Sequence, residues 1–314
     1  MTEADRPRLL AIGGAHVDRR GRLSVPYVAG ASNPGTLRET IGGGAFNAAR
    51  AVVSRGIAAA LLSARAGDGA GSIVADAVAA SHLQDLSATF LDRATPSYTS
   101  ILDRDGEQIL GLADMALYEI VFERLLRRRP VRDAIAGASA LLADANVPAP
   151  ALARLARMAD GKPLFAMAVS PAKAPRWSDL MDRLACLFCN RAEAAALTGL
   201  PADASGGDLA RALAGLGLVR ALVSAGPRPL TLLDHGTVAT LLPPPVRPVD
   251  VTGAGDALTG AAIAALMRGE TLRDAAIEGL AAAALAVETS ASAPDLAGAP
   301  FQTRLDETRR LNPS

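Results

Sequence analysis

The stretch "VDVTGAGDALTG", residues 249–260, has an acid on each side of a Gly-Ala-Gly turn and runs into an alanine-rich segment. The glycines at 253 and 255 leave successive backbone N–H groups unshielded, so these groups can point at one anion. The alanine-rich segment predicts a helix that begins at the turn, and the positive end of its dipole faces the same anion. The stretch therefore predicts an anion-binding turn at a helix N-terminus.

Asp256 is an acid placed at a site that attracts negative charge. This combination is explained if the carboxylate removes a proton from the group that attacks the anion. An alcohol that attacks a phosphoryl group supplies such a proton, and positioning and charge stabilisation carry most of that reaction. The simpler alternative is a glycine-rich loop whose acid only caps a helix, and a bare G-x-G would favour that alternative.

The composition is that of a folded globular chain. Its 314 residues are 50% hydrophobic, which is enough to fill a sizeable core. The 32 basic and 32 acidic residues balance, so no overall field attracts nucleic acid or an anionic membrane. The basic run "RLLRRRPVR", residues 124–132, is typical of the solvated face of an amphipathic helix rather than of a nucleic-acid patch.

Neither a membrane span nor a metal-binding cysteine cluster is indicated. No apolar run reaches the ~20 residues that a span needs, and the N-terminus lacks a secretory pattern, so we expect a cytoplasmic protein. Cys186 and Cys189 form a C-x-x-C without a second pair. Buried strand thiols are therefore favoured over a metal or redox site.

Short apolar runs alternate along the chain with longer alanine-rich helical patterns, which predicts an α/β fold built from βαβ units. Two segments depart from this alternation, at roughly 15–40 and 88–112, and the second holds a hairpin around "DRDGE". We expect them to form a small β lid on a single domain that spans residues 1–314.

Two motifs carry a family resemblance. "DVTGAGDALTGA" resembles the C-terminal D-T-x-G-A-G-D signature of the ribokinase-like (PfkB) carbohydrate kinases, with Val251 where that family usually has Thr. "IGGGAFNAARAVVSRG", residues 41–56, resembles the family's N-terminal G-G-x-x-x-N-x-A signature. A dinucleotide-binding site is the competing interpretation, but "GGGAFNAA" lacks the G-x-G-x-x-G spacing. The resemblance implies a ribokinase-like three-layer α/β/α sandwich with a mostly parallel central sheet and a β lid.

The resemblance also implies the roles of the acceptor-side residues. By it, Asp256 is the base that deprotonates the acceptor hydroxyl, and the turn Gly253, Ala254 and Gly255 holds the transferring phosphoryl. Asp18 would grip two sugar hydroxyls, unless it is only an exposed turn acid. The remaining sugar-binding residues implied by the N-terminal signature are Gly42, Gly43 and Asn47.

The cofactors implied by the resemblance are ATP, Mg²⁺ and K⁺. "NRAEA" resembles the family's N-x-x-E element, in which Asn190 lies near the nucleotide phosphates and Glu193 orders magnesium-bound water. "LVSAGP" stands where the family has its strand-turn near ATP, with Ser224 and Gly226 as contacts and Pro229 in place of a second glycine. The potassium site would use backbone groups around Asp250 and Thr252 and in the loop 286–292.

The middle of the chain resembles the pseudouridine kinase branch of this family. The segments are "ATPSYTSILDRDGEQILGLADMALYE", "LLADANVP" and "VSPAKA", in that order before "NRAE". Met167 departs from the branch, which usually has an acid there, and Lys173 either reaches an anionic phosphate or lies at the surface. Ser97 and Thr99 share one face of a predicted strand and are expected to contact the base or sugar.

The resemblance favours ATP-dependent phosphorylation of the ribose 5′-hydroxyl of pseudouridine. One alternative is another kinase of the family, acting on ribose, a ketose or adenosine, although the aromatic content of 3% leaves few rings to stack on a purine. A second alternative is a catalytically silent nucleoside or sugar sensor. We also expect a homodimer that pairs the lids, because pairing would cover their exposed strand edges.

Overall fold

The computed structural model describes residues 8–289 and 294–313. Within these residues nine strands form one sheet in the order β15-β14-β13-β12-β11-β10-β1-β4-β6. Every neighbouring pair is parallel except β13 with β14 and β14 with β15. The strands of this sheet are β1 Arg8–Ile12, β4 Ala58–Leu62, β6 Gln84–Asp85, β10 Ala140–Asp144, β11 Leu164–Met167, β12 Cys186–Asn190, β13 Arg220–Ser224, β14 Leu230–Asp234 and β15 Thr237–Leu241.

Helices cover both faces of this sheet. The inner strands are continuous apolar runs, as in "ALLAD" of β10, because a parallel sheet is buried on both sides. One face packs against α1 Gly44–Ser54, α2 Gly69–Ala80, α8 Ala254–Met267, α9 Leu272–Val287 and α10 Ala299–Leu311. The other face packs against α3 Ala116–Leu125, α4 Arg129–Gly137, α5 Ala149–Met158, a 3₁₀ helix Ala174–Arg183, α6 Arg191–Thr198 and α7 Gly206–Gly215. The predicted α/β/α sandwich is confirmed.

A second sheet of four strands stands apart from the first, in the order β3-β2-β8-β9. Its strands are β2 His16–Leu23, β3 Gly35–Gly42, β8 Ser97–Leu102 and β9 Gln108–Asp114. The short strand β7 Ala88–Phe90 pairs instead with β5 Ala64–Ala66. Residues 88–90 therefore belong to a separate two-stranded ladder, and the four-stranded sheet resumes at residue 97.

The basic run 124–132 does not lie on one helix. α3 ends at Leu125 and α4 begins at Arg129, so a short turn divides the run, and Pro130 stands in the first turn of the second helix. Proline is tolerated there because the first N–H groups of a helix have no partner within it. The expectation of a single amphipathic helix is corrected to two helices that meet at this turn.

Cys186 and Cys189 are buried in β12, as predicted, and both are free thiols. Burial raises the pKa of both. Across residues 8–289 and 294–313, the structure contains no helix with the length and apolar character of a membrane span.

Candidate active site

The glycine turn of the opening stretch forms the N-terminus of α8. Gly253 precedes the helix with a φ of 79°, a left-handed conformation that glycine adopts without steric cost. Ala254, Gly255 and Asp256 form the first helical turn, whose N–H groups have no partner within the helix. The predicted helix start is confirmed, and its N–H groups and dipole favour an anion at this place.

The Asp256 carboxyl is held by a side chain from α1. Asn47 Nδ2 donates to Asp256 Oδ2 at 2.9 Å. Burial raises the pKa of Asp256 to about 7, the Asn47 hydrogen bond opposes the rise, and the nearby Asp144 and Asp18 charges add to it. A carboxyl with this pKa can accept and release a proton near neutral pH, as a general base must.

Asn47 keeps one polar atom free. Its Oδ1 is buried and has no hydrogen-bond partner, while its Nδ2 is used by Asp256. An unpaired acceptor in a buried site costs free energy unless a ligand supplies the donor. The helix that carries Asn47 follows Gly43, which has a φ of 116°, and a side chain at Gly43 would overlap the Gly14 carbonyl.

Asp18 lies on β2 of the second sheet, beside Gly42 at the end of β3. A Cβ added at Gly42 would overlap the Asp18 carboxylate, so glycine keeps this carboxylate accessible. His16 Nε2 lies 3.2 Å from Asp18 Oδ1. Asp18, Gly42, Gly43, Asn47 and Asp256 therefore come together around one space, where the sequence predicted acceptor binding.

The register of the second sheet changes the expectation for β8. Asp18 pairs with Tyr98, whereas Ser97 pairs with Val17 and Thr99 pairs with Arg19. Because laterally paired residues in a sheet point to the same side, Tyr98 shares the Asp18 face. The contact expected from Ser97 and Thr99 does not fit this register, since their side chains lie on the opposite face.

Asp144 holds the acceptor space together, although no role was predicted for it. It is fully buried at the end of β10, and its Oδ2 accepts from the N–H groups of Gly14 and Ala45 at 2.9 Å each. Its Oδ1 accepts from the N–H of Asn146 at 2.8 Å. The available signal was the D-x-N element of "LLADANVP", which places an acid at the carboxyl end of a parallel strand.

Lys173 turns into the same region rather than to the surface. Its Nζ donates to Asn146 Oδ1 at 2.6 Å, and Asn146 is 2% exposed. Burial lowers the pKa of Lys173, the Asp144 charge opposes this fall, and Arg176 adds to it. Of the two positions left open by the sequence, the surface one is excluded, because the ammonium is tied to a buried amide.

Two adjoining cavities lie on the other side of Asp256. The larger, of about 680 Å³, is lined by Ser224, Gly226, Ala254 and Gly255 together with apolar walls. The smaller, of about 200 Å³, is lined by Met167, Asn190, Glu193, Ser224, Gly255 and Asp256. Ser224 and Gly255 line both cavities, so the predicted ATP-side residues and Asp256 border two adjoining spaces. Pro229 is not among the lining residues.

Asn190 and Glu193 form a reciprocal cap at the start of α6. Asn190 Oδ1 accepts from the Glu193 N–H at 2.9 Å, and Glu193 Oε2 accepts from the Asn190 N–H at 2.8 Å. Burial raises the pKa of Glu193, and both hydrogen bonds from Asn190 oppose the rise. The cap fixes the carboxyl at the edge of the smaller cavity. Within the described residues no group of three or more His, Cys, Asp or Glu side chains is arranged to hold a metal.

The side chains of Asp250 and Thr252 both contact an arginine from the second sheet. Arg20 Nη1 lies 2.7 Å from Asp250 Oδ2, and Arg20 Nη2 contacts Thr252 Oγ1. Burial alone would raise the pKa of Asp250, but its hydrogen bonds with Thr252 and its pair with Arg20 hold that pKa below its ordinary value. Residues 290–292 of the loop expected at the potassium site lie outside the described residues.

Comparison with known proteins gives consistent results. Residues 8–297 match the model of the pfkB family of carbohydrate kinases. The chain is 29% identical over 259 residues to the pseudouridine kinase of Escherichia coli K12, an alignment that covers 81% of this chain and 82% of that protein.

Solved structures resemble the whole fold. A carbohydrate kinase from Agrobacterium tumefaciens is 42% identical and superposes with a TM-score of 0.82, covering 96% of this chain and 98% of that one. The ribokinase of Arabidopsis thaliana, solved with ribose and ATP, is 20% identical and superposes with a TM-score of 0.82, covering 96% and 99% of the two chains. At that identity the ribokinase supports the fold alone.

The match over nearly the whole chain agrees with both sequence signatures and with the convergence of their residues around Asp256. Kinases of this family use ATP as the donor, which fits the two adjoining cavities beside the glycine turn. This chain belongs to the pfkB family of carbohydrate kinases and is a phosphotransferase that acts on a hydroxyl group of a sugar or nucleoside.

Proposed function

We propose that this kinase transfers the γ-phosphoryl group of ATP to the ribose 5′-hydroxyl of pseudouridine, giving pseudouridine 5′-phosphate and ADP. The observation that carries the proposal is the contact between Asn47 and Asp256, which leaves a buried Asn47 acceptor unpaired beside a carboxyl with a pKa of about 7. Such a pair suits a ligand that presents several hydroxyl groups. The resemblance to a pseudouridine kinase supports the choice of nucleoside.

In the proposed reaction Asp256 takes the proton of the 5′-hydroxyl as its oxygen attacks the γ-phosphorus. The new O–P bond forms while the bond between the γ-phosphorus and the β,γ-bridging oxygen breaks, and ADP leaves with that electron pair. The N–H groups of the turn at Gly253, Ala254 and Gly255 face the charge on the transferring group. Asp256 later releases the proton to solvent.

The ribose would be held by polar groups from the second sheet and from α1. Asp18 accepts from two sugar hydroxyls, and the unpaired Asn47 Oδ1 accepts from a third. Gly42 and Gly43 would let the ring lie against bare backbone, and a Cβ at these positions would overlap the Asp18 carboxylate and the Gly14 carbonyl respectively. These contacts position the 5′-hydroxyl at Asp256, which is how much of the rate enhancement arises in such reactions.

Magnesium fits the smaller cavity as an ion held mainly by water and phosphate. Asn190 and Glu193 border that cavity, and Met167 supplies an apolar wall where the related branch has an acid. Mg²⁺ keeps several waters and needs few protein carboxylates, so this donor set is adequate. Asn190 and Glu193 would hold the ion through its water, and the ion would supply charge neutralisation at the ATP phosphates.

Potassium does not fit the described part of its expected site. The site was predicted on the backbone around Asp250 and Thr252, and the side chains of these two residues contact the Arg20 guanidinium, which supplies positive charge at the same place. A second cation would meet repulsion from this group. We therefore assign no step to potassium.

We propose that the four-stranded sheet acts as a lid on the single kinase domain. Its Asp18 face turns toward Asp256, so closure excludes water that would otherwise hydrolyse ATP. The opposite face exposes Leu37, Leu110 and Leu112 by more than half each, at 59%, 56% and 61%.

The exposed lid face suits a second copy of this chain. It pairs Arg19 with Glu39, so it offers both charges to an identical partner across a two-fold axis. We propose a cytoplasmic homodimer that covers these leucines, which sedimentation of the purified protein would test. A monomer at micromolar concentration would contradict it.

The first experiment is to measure ADP release with ATP and Mg²⁺, comparing pseudouridine with uridine, adenosine, ribose and fructose as acceptors. We expect turnover with pseudouridine at the highest kcat/KM. Faster turnover with another acceptor would overturn the proposed substrate while leaving the family assignment intact. Binding of pseudouridine without any turnover would point to the sensor alternative.

A further inference from the structure

Arg20 connects the second sheet with the segment that enters the glycine turn. Its Nη1 lies 2.7 Å from Asp250 Oδ2, and its Nη2 contacts Thr252 Oγ1. Thr252 immediately precedes Gly253, whose left-handed backbone begins the turn. One guanidinium therefore joins β2 to the backbone from which the proposed anion-binding N–H groups start. The proposed catalytic steps give this contact no role.

The segment before the turn, residues 249–252, has little packing of its own. Val249 and Val251 are 66% and 71% exposed, and the segment belongs to neither a helix nor a strand. Its first half is held by the backbone, because the Val249 and Asp250 N–H groups both donate to the Val287 carbonyl. A segment with so few buried contacts changes shape at low cost, so its remaining polar contacts decide how it is arranged.

The Asp250 carboxylate shapes the second half of this segment. Its Oδ1 accepts from the Thr252 N–H at 2.9 Å, and its Oδ2 faces Arg20. Arg20 therefore acts on the segment at two points, through this carboxylate and through the Thr252 hydroxyl. A planar guanidinium fixes two acceptors relative to each other, which a single point charge does not do. The contact is suited to setting the direction in which the chain enters the turn.

Arg20 also shares a strand with the acid proposed to hold the ribose. Asp18 and Arg20 are two residues apart on β2, so their side chains lie on the same face. Over these residues β2 is paired on both sides, with β3 and with β8. A movement of the sheet that carries Asp18 away from the acceptor space therefore also carries Arg20 away from Asp250.

The exposure of this ion pair argues against a purely structural role. The Arg20 and Asp250 side chains are 42% and 33% exposed. Pairs with this exposure add little to the stability of a fold, because water screens their attraction and ordering the side chains costs entropy. A contact that breaks and forms again at low cost suits an element that moves in each catalytic cycle.

We propose that Arg20 is a positioning residue that couples acceptor binding to the shape of the anion-binding turn. When a nucleoside holds Asp18, the second sheet closes and Arg20 docks on Asp250 and Thr252, which aligns the N–H groups of the turn for the ATP phosphates. When the sheet opens, this alignment is lost and ATP is bound more weakly. The inference rests on the proposed function, because it takes the second sheet as the lid and Asp18 as a ribose contact.

The direct test is the effect of the nucleoside on ATP affinity. We expect pseudouridine to tighten the binding of a non-hydrolysable ATP analogue to the parent enzyme at least about fivefold, as in typical coupling between two sites. Arg20→Met removes the contact, so its ATP-analogue affinity should be nearly the same with and without the nucleoside. Titration calorimetry measures both affinities. Equal tightening in the parent and the variant would overturn the inference.

The matched control is Arg22→Met. Arg22 lies two residues further along β2 on the same face, and its Nη2 donates to the Arg104 carbonyl at 2.9 Å, inside the second sheet. This variant loses one positive charge from the same face but keeps the Arg20 contact, so the nucleoside should still tighten ATP binding. Melting temperatures of both variants identify any loss that comes from misfolding.

Arg20→Lys separates positioning from charge. Lysine keeps the positive charge but cannot present two N–H groups in a fixed fork. We therefore expect this variant to lose most of the effect of pseudouridine on ATP-analogue affinity. A lysine variant that matches the parent in this effect and in kcat would show that charge alone suffices, which would overturn the positioning role.

Turnover provides a second measurement. Arg20→Met should lower kcat with pseudouridine roughly 10- to 100-fold, the cost of a misplaced reacting group, with a much smaller change in nucleoside affinity. Asp250→Asn should cause a similar loss, and the double variant should be no worse than either, because both changes break one contact. Additive losses would overturn the inference but not the proposed reaction. Absence of pseudouridine binding and turnover in the parent would instead overturn the proposed function.

Discussion

The two sides of Asp256 are built from different kinds of residues. The acceptor side is lined with buried hydrogen-bonding groups whose orientation is fixed by a neighbour, such as Asn47 at Asp256 and Asn146 at Lys173. The donor side is a larger cavity with apolar walls, including Pro243, Pro244 and Pro245. Paired polar groups discriminate strongly between ligands, whereas apolar walls discriminate weakly. Under the proposed function, this contrast predicts that specificity lies with the acceptor and that ATP is held mainly through its phosphates.

The strongest test of this contrast is Asp256→Asn, which removes the proposed base but keeps an atom to accept from Asn47. We expect kcat to fall about 10²- to 10⁴-fold with nucleoside affinity little changed. Single-turnover kinetics and equilibrium binding measure the two effects separately. An unchanged kcat would remove Asp256 from the mechanism.

The same substitution should stabilise the fold at alkaline pH. The folded-state pKa of Asp256, about 7, lies above the unfolded value of 3.8, so ionisation costs stability as pH rises between them. Above pH 7 we expect Asp256→Asn to raise the free energy of unfolding on the order of 2 kcal/mol, after allowance for partial solvent access. Near pH 4 the variant and the parent should melt alike. Thermal denaturation at both pH values checks this.

Next in size is the effect of Asn47→Ala on the pH profile. The parent kcat/KM should rise with pH through about 7, because only the ionised Asp256 accepts a proton. The Asn47 hydrogen bond lowers the pKa of Asp256, so its loss should move the rising limb to higher pH and raise KM for the nucleoside. If the rate falls while the pH at which kcat/KM rises stays the same, Asn47 acts only as a sugar contact and does not set the pKa of Asp256.

A smaller effect is expected on the donor side. Ser224 and Arg228 supply the polar side chains among the lining residues that the structure describes. GTP in place of ATP should therefore change kcat/KM by less than about tenfold. Competition between the two nucleotides in one assay measures the ratio. Strong rejection of GTP would show that backbone groups form specific hydrogen bonds with the adenine. The donor side would then be selective as well, contrary to the contrast between the two sides of Asp256.

The smallest effect is expected from the monovalent cation. Because Arg20 already contacts Asp250 and Thr252, exchange of K⁺ for tetramethylammonium at constant ionic strength should leave kcat unchanged. Arg20→Ala should make the rate sensitive to this exchange. Stimulation of the parent enzyme by K⁺ would mean that the ion binds without displacing the arginine.

The sequence predicted the parts of the site that are local. The turn at Gly253 and the helix that carries Asn47 follow from short motifs whose glycines and helix starts are visible in the chain. Strand alternation likewise predicted that Ser97 and Thr99 lie on one face of their strand and Tyr98 on the other. It did not tell which face meets the ligand, because that depends on pairing with β2, about eighty residues earlier in the chain.

Short motifs did not predict the contacts between residues that are far apart in the chain, because such contacts depend on how distant elements pack together. Arg20 reaches Asp250 across 230 positions, and the exposed side chain carries no local pattern that predicts the pair. Asp144 bonds to Gly14 across 130 positions. The D-x-N element singled out Asp144 as a candidate. The sequence did not predict that two distant N–H groups share its carboxylate, because they come together only in the folded chain.

The buried Asp144 carboxylate has a consequence for the newly made chain. It satisfies N–H groups on the β1–β2 turn and at the start of α1, both of which leave the ribosome long before β10 does. Until residue 144 is made, these N–H groups lack their shared acceptor. Under the proposed function, we therefore expect a nucleoside to stabilise only a chain whose central sheet already contains this carboxylate.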